Sequence, residues 1–336
     1  MKEVLSGIYQ LTLTMSGFPP GAVNSYLIQD NNGYLMIDTG WDTPPSLQGL
    51  ENQMSELGAD LPDIKSVAVT HAHVDHFGLT PRLKHTYQAR IYLHRKELDL
   101  IRFRYSHRDR FLSSMDKFLR THGFPEAELT PPEIQIPASD SLSSTSPDIL
   151  LEGKEEIFAG EYSFRVINTP GHTPGHVSFY EPKKKILFSG DTLLPTIATN
   201  AALHIQHFPD SLQQHLNSLL TLRQLDINLV LPGHGEVFSN HRQRIEELLH
   251  HHQQRKGEIR SALVGGLPKT AYEVSRLISW SPKTGADAWN HLASLDKRFA
   301  VLQTIGYLEL LIKENVLIGF SEAGKLYYRY RGPYPR

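Results

Sequence analysis

The stretch Thr70-His71-Ala72-His73-Val74-Asp75-His76 places three imidazoles and a carboxylate within six residues. It follows Val67-Ala68-Val69, an apolar run of strand character. His71 and His73 are two apart, so both rings can face one side of an extended or sharply turned backbone and share one cation. Asp75 and His76 follow at once and precede Phe77-Gly78-Leu79, where a helix can begin. They therefore point from a different turn at a neighbouring position and can serve a second ion. Imidazole suits zinc, iron and other divalent metals, and a carboxylate shifts the preference toward harder or mixed sites. A lone His at a strand end is ordinarily a surface or satisfied core residue, but four such groups packed this closely read as half of a metal site.

Three later segments offer the other half. Asn168-Thr169-Pro170-Gly171-His172-Thr173-Pro174-Gly175-His176 follows strand-like residues 162–167, and its Gly and Pro residues impose a tight loop that can present His172. Lys185-Ile186-Leu187-Phe188 leads into Ser189-Gly190-Asp191-Thr192, a carboxylate at the end of an apolar strand. Leu229-Val230-Leu231-Pro232-Gly233-His234-Gly235 puts one more His in a Pro/Gly turn after a strand. Each candidate stands at a strand exit, where a scaffold of buried strands gathers residues distant in sequence.

In this order and separation the four motifs resemble those of the metallo-β-lactamase superfamily, over roughly residues 1–240. The resemblance implies an α/β fold, an αββα sandwich with metals at one edge. It implies that His71, His73 and His172 hold a first metal, that Asp75, His76 and His234 hold a second, and that Asp191 bridges them. Asp38, in Ile37-Asp38-Thr39-Gly40, matches the family's first motif, which usually stands behind the ligands. His176 matches a position that is not the ligand of its pair. Zinc β-lactamases generally lack the bridging aspartate or use a Cys, and the diiron oxygen and nitric oxide reductases carry Glu where this chain has His73. The seven-residue set instead resembles glyoxalase II thioesterases, acyl-homoserine-lactone lactonases and metal-dependent ribonucleases. Persulfide dioxygenases share the first motif but use a single iron.

Composition bounds the rest. A chain of 336 residues with 40% hydrophobic content exceeds one typical domain and can bury a sizeable core. A formal net charge of −2 gives no global field for nucleic acid or membrane. With no Cys, disulfides, thiolate ligands and cysteine nucleophiles are excluded. Residues 1–7 carry no apolar core of the signal-peptide kind, so a cytoplasmic location is expected.

Residues 8–13, 25–29 and 34–37 read as strands, the last two joined by Asp30-Asn31-Asn32-Gly33, a hairpin turn. Residues 45–57 have helical spacing that stops at Gly58, residues 81–87 look helical, and residues 90–93 return as a strand. This alternation suits layered α/β architecture. Residues 94–135 read as a helical, lid-like insertion in a catalytic domain spanning 1–240, with Arg102, Arg104, Tyr105, Arg108 and Arg110 able to meet an anion or simply to face solvent. Residues 241–336 are expected to form a helical, winged-helix-like domain: helices over 242–256, 258–264, 271–278 and 298–314, then a hairpin over 319–330. In the last helix Val301, Ile305, Leu308 and Ile312 form an apolar stripe, leaving Gln303, Thr304, Glu309 and Lys313 outward, a poor face for reading DNA. His250-His251-His252 cannot converge on one ion, because neighbours on a helix point about 100° apart.

The expected activity is that of a dinuclear hydrolase acting through a hydroxide shared by two divalent cations, zinc first and iron or manganese as alternatives. Asp75 would orient the nucleophile and Asp191 would set the metal separation. The expected substrate is a small acyl compound, a thioester, ester or lactone. The rivals are a phosphodiesterase or endoribonuclease whose C-terminal domain contacts nucleic acid, and a mononuclear iron persulfide dioxygenase. No membrane partner is expected, and a homodimer is left open. Tyr105, His107, Asn200 and His204 are the candidates for a general acid.

Overall fold

The computed structural model describes residues 1–15, 21–129, 140–199, 201, 210–280 and 289–332. In chain order these form β1 (Lys2–Leu5), β2 (Ile8–Thr14), β3 (Ala22–Asp30), β4 (Gly33–Ile37), α1 (Pro44–Glu56), β5 (Ile64–Ala68), α2 (Val74–Phe77), α3 (Thr80–Tyr87), β6 (Arg90–His94) and α4 (Glu97–Ile101). A π-helical turn over Arg102–Ser106 leads to α5 (Arg108–Thr121), α6 (Asp140–Ser144), β7 (Ile149–Leu151), β8 (Glu156–Ala159), β9 (Tyr162–Asn168), β10 (Val177–Glu181) and β11 (Ile186–Gly190). Then come α7 (Ser211–Arg223), β12 (Leu229–Pro232), α8 (His241–Leu263), α9 (Ala271–Ser275), α10 (Ser294–Lys313), β13 (Leu317–Glu322) and β14 (Lys325–Tyr330).

Local chemistry sets the ends of these elements. The Thr43 hydroxyl accepts from Ser46 N and Pro44 opens α1, while Gly58, at φ 70°, follows its last turn. Asp30 pairs with Gly33 across the expected β3–β4 hairpin. The expected break between two helices at Gly257 is absent, and α8 runs unbroken through it. A glycine inside a helix costs only about 1 kcal/mol against Ala, too little to break a helix that tertiary packing supports.

The chain divides into two compact units, the first comprising 1–106, 139–199 and 217–245, the second 107–138, 200–216 and 246–336. In the first unit, a seven-stranded sheet runs in the order β1 to β7, antiparallel to β4 and parallel beyond it. A five-stranded sheet runs β12-β11-β10-β9-β8, with only β11 and β12 parallel. Ile8, Tyr26, Ile28, Leu35 and Ile37 from one sheet pack against Phe164, Val166, Phe179, Ile186 and Phe188 from the other. Tyr26 and Phe188 meet edge-on with centroids 5.1 Å apart. The two sheets bury alternating faces against each other, and β4, β5, β11 and β12 end where the candidate residues begin.

The second unit has its own core. Leu119 and Phe124 join Ile259, Leu263, Ala271, Val274, Val301, Ile305 and Leu308, so α5 belongs here, whereas residues 94–106 stay with the first unit. The expected lid-like insertion is thus divided between the two. The expectation that Thr304 faces outward is overturned. It is fully buried and donates to Ala300 O, because α10 is enclosed on nearly every side, with Ala300, Leu302, Tyr307, Leu310 and Leu311 buried alongside the expected stripe. Among the described residues no helix is long and apolar enough to cross a membrane.

Two buried histidines make the second unit acid-sensitive. His122 lies against the Tyr328 hydroxyl at 3.1 Å, and His252 against the Tyr307 hydroxyl at 2.6 Å. Burial pushes both imidazoles from the ordinary 6.5 down to about 4, and His251 and Arg255 push His252 the same way. Between those pH values the unfolded chain binds protons that the folded chain does not, so stability falls as the pH drops through that window. The loss is on the order of 3 kcal/mol per group by pH 4. Thermal midpoints taken from pH 7 to 4.5 should fall steeply in the wild type and less in His252→Asn, which keeps an acceptor for Tyr307. Equal slopes would contradict the assignment.

Candidate metal centre

All seven candidate residues lie in the first unit, at one set of strand ends. His71 and His73 follow β5, and Asp75 and His76 sit in the single turn of α2. His172 lies in the β9–β10 loop, Asp191 directly follows β11, and His234 follows β12. They fall into three overlapping groups, His71/His73/His172, His71/His76/Asp191 and Asp75/His76/His234, each with ligand atoms within 4.8 Å of one another. His172 Nε2 and His73 Nδ1 are 2.9 Å apart. The Asp191 carboxylate lies between the sets. Oδ2 is 3.5 Å from both His172 Nε2 and His234 Nε2, and Oδ1 is 3.5 Å from His76 Nε2. Asp75 Oδ2 is 3.3 Å from His234 Nε2 and 3.6 Å from His76 Nε2.

The backbone is shaped to let these groups approach. A Cβ on Gly233 would stand 2.5 Å from Asp191 Oδ1 and 2.7 Å from His76 Cε1, so only glycine fits there. The turn holding His234 is stitched to β3: Asn24 Nδ2 donates to Pro232 O and Gly235 O, and the Tyr26 hydroxyl donates to Pro232 O at 2.8 Å.

Hydrogen bonds behind the cluster decide which ring nitrogen faces inward. His76 Nδ1 donates to Asp38 Oδ2 at 2.8 Å, and His234 Nδ1 donates to Ala22 O at 2.7 Å. Both Nε2 atoms are thereby turned inward, toward the carboxylates, where a cation would take their lone pairs. His71 Nδ1 meets Thr70 Oγ1 at 3.1 Å. Asp38, at φ 56°, also accepts from Thr70 N and Thr70 Oγ1, each at 2.8 Å. His176 lies behind the cluster, its ring 5.1 Å from that of His71. Its Nε2 accepts from Asp191 N at 3.0 Å, while Nδ1 faces the Thr169 and Thr192 hydroxyls.

The donor set fits divalent cations. His71 Nε2, His76 Nε2 and Asp191 Oδ1 are buried with no hydrogen-bond partner among the described residues, an arrangement that costs free energy unless something else coordinates them. Burial and the neighbouring imidazoles push His71 well below the ordinary value, keeping it in the neutral form that binds metal. Burial alone would raise Asp191, yet the His234 and His76 rings hold it well below the carboxylate range. His234 responds in the opposite sense: against burial, Asp191 lifts it to about 10. This negative field is the field a cation would meet.

The general-acid candidates fare differently. Tyr105 is buried and donates to Ala72 O at 3.0 Å, and burial pushes its hydroxyl up to about 12, so it serves as an anchor rather than a proton donor. His107 falls in the second unit, and Asn200 and His204 lie outside the described residues. Sequence reading missed Glu97, a wholly buried carboxylate behind the first His group, which nothing in Arg95-Lys96-Glu97-Leu98 distinguishes from a solvated helix start.

Comparison with known proteins identifies the family. A family model described as the Metallo-beta-lactamase superfamily matches residues 18–234. The probable metallo-hydrolase YqjP of Bacillus subtilis (strain 168) is 24% identical over 317 residues, spanning 93% of this chain and 94% of YqjP. Hydroxyacylglutathione hydrolase GloC of Haemophilus influenzae is 26% identical over 215 residues, 63% of this chain and 84% of GloC. The crystal structure of a metallo-beta-lactamase family protein from Thermus thermophilus superposes with a TM-score of 0.81 at 29% identity, covering 98% of this chain and all of that one.

Proposed function

Because the chain belongs to the metallo-beta-lactamase superfamily, whose metallo-hydrolases hold divalent metals through clusters of His and Asp, we propose that it is a dinuclear hydrolase of a small thioester, ester or lactone. One observation carries the dinuclear reading: the Asp191 carboxylate lies within 3.5 Å of His172 from one group and of His76 and His234 from the other. His71, His73 and His172 would hold one cation, Asp75, His76 and His234 the second, and Asp191 both. Zinc suits this set best, with iron or manganese as alternatives. Two divalent cations supply acidified water at neutral pH and Lewis acidity toward a carbonyl oxygen.

The chain's own residues prepare the site for that chemistry. Asp38 and the Ala22 carbonyl hold the Nδ1 protons of His76 and His234, which keeps both rings in one tautomer and orientation. Asp75 is the more accessible of the two cluster carboxylates, with its side chain 16% exposed against 10% for Asp191. In this reading it would orient a water molecule and accept its proton at a carboxylate oxygen. The buried His71 and His76 rings exclude bulk water from the inner side of the cluster.

The acyl reading is supported by the likeness to GloC, whose name specifies a hydroxyacylglutathione substrate, and by a net charge of −2, which offers a polyanion no general attraction. The test is turnover of metal-replete protein on thioesters, lactones, aryl esters, phosphodiesters and short RNA, with chelator-stripped protein as the blank. Acyl hydrolysis should fall by on the order of 10³-fold on stripping and return with metal. Cleavage of phosphodiesters or RNA alone would overturn the acyl reading.

A further inference from the structure

Glu97 opens α4 and is wholly buried, which is unusual for a carboxylate. Its two oxygens go to two different loops. Oε2 accepts from Ala72 N and Oε1 from Gly175 N, each at 2.7 Å. Ala72 is the residue between His71 and His73, and Gly175 lies three residues after His172. The Gly175 backbone rests directly on this anchor, since a Cβ there would stand 2.6 Å from His94 Nδ1 and 2.9 Å from Glu97 Oε1. The π-helical turn that continues α4 brings Tyr105 to the other side of the same residue, where its hydroxyl donates to Ala72 O. The N–H and the C=O of Ala72 are therefore both held by one short helical segment, which fixes the peptides on either side and with them the directions of the His71 and His73 rings. π-Helical turns inside helices concentrate at functional sites, and this one gives Tyr105 its reach.

Resting on the metal-centre reading above, we infer that Glu97 is a positioning residue for the first metal group: its single carboxylate locks the His71/His73 loop to the loop bearing His172, and Tyr105 completes the lock. A buried carboxylate is costly unless its lone pairs are filled. Here the two backbone N–H groups occupy one site on each oxygen, and the Thr173 side chain and the Arg104 charge add to them. The arrangement needs an acceptor at both oxygens. Gln at this position would turn an NH2 toward one of the two N–H donors and release that loop. It would leave the Asp75/His76/His234 group alone, because that group is oriented by Asp38 and Ala22 instead.

The experiment is titration of metal-stripped protein with cobalt(II), followed by equilibrium dialysis and visible absorption, for wild type, Glu97→Gln, Tyr105→Phe and His71→Ala. Glu97→Gln should weaken one of the two cobalt ions by about 10–100-fold and change its absorption, and leave the other ion within about threefold. Tyr105→Phe should weaken the same ion by a few-fold, and it carries the test if Glu97→Gln does not fold. Wild-type affinity and spectrum in either folded variant, or equal weakening of both ions, would overturn the inference. Unchanged cobalt binding by His71→Ala would instead remove the metal-centre reading, and the inference with it.

Discussion

Asp191→Asn should keep the fold and lose turnover by on the order of 10³-fold, a change of about 4 kcal/mol in transition-state stabilisation. The side chain keeps its shape, and the backbone anchors of the residue survive, since Asp191 N still donates to His176 Nε2 and Thr199 Oγ1 still donates to Asp191 O. What goes is the charge and one of the two acceptor oxygens. An amide NH2 would then face either His76 or the pair His172 and His234, all of which approach the native carboxylate at 3.5 Å. An amide cannot serve two cations at once, so both groups feel the change. Without metal, the variant should also melt below the wild type, because the ionised carboxylate that the His234 and His76 rings stabilise is gone and those rings lose their partner. Parallel measurement of kcat/KM and of the metal-free thermal midpoint separates the two effects. Wild-type turnover in the variant would remove Asp191 from the mechanism.

Asp38→Ala carries the largest expected cost in stability, about 3–5 kcal/mol. Three donors converge on this buried carboxylate: Thr70 N, the Thr70 hydroxyl and His76 Nδ1, each at 2.8 Å. Alanine would leave all three without an acceptor in a site closed to water. The backbone adds to the cost, since φ is 56° at Asp38, a conformation Asp adopts more readily than Ala. Urea unfolding should show the loss as a lower midpoint at unchanged slope. Asp38→Asn, which retains one acceptor, should recover part of it. A loss below about 1 kcal/mol would mean that the three bonds are replaceable.

Much of this site can be read from sequence because its residues sit at strand exits. The apolar runs before His71, Asp191 and His234 mark buried strands, and the Pro and Gly residues around His172 and His234 mark turns, so the convergence of distant segments follows from the sheet architecture. Asp38 stands out for the same reason, directly after β4. Glu97 and Tyr105 have no such signature. Their roles depend on which way a helix start faces, and a carboxylate after Arg95-Lys96 looks solvated until the loop above it is placed. Thr304 escapes the pattern because an apolar stripe at helical spacing assumes one buried face, whereas α10 is enclosed by its neighbours. The assignment of α5 to the second unit was equally hidden, since Leu119 and Phe118 announce an apolar face without naming its partner.

Whether seven side chains hold two cations around one shared carboxylate can be read by counting zinc per chain after equilibrium dialysis, in the wild type and in Asp191→Asn. The wild type should bind two equivalents and, at the same free zinc, the variant fewer. A single equivalent in the wild type, or two in both proteins with equal affinity, would contradict that arrangement.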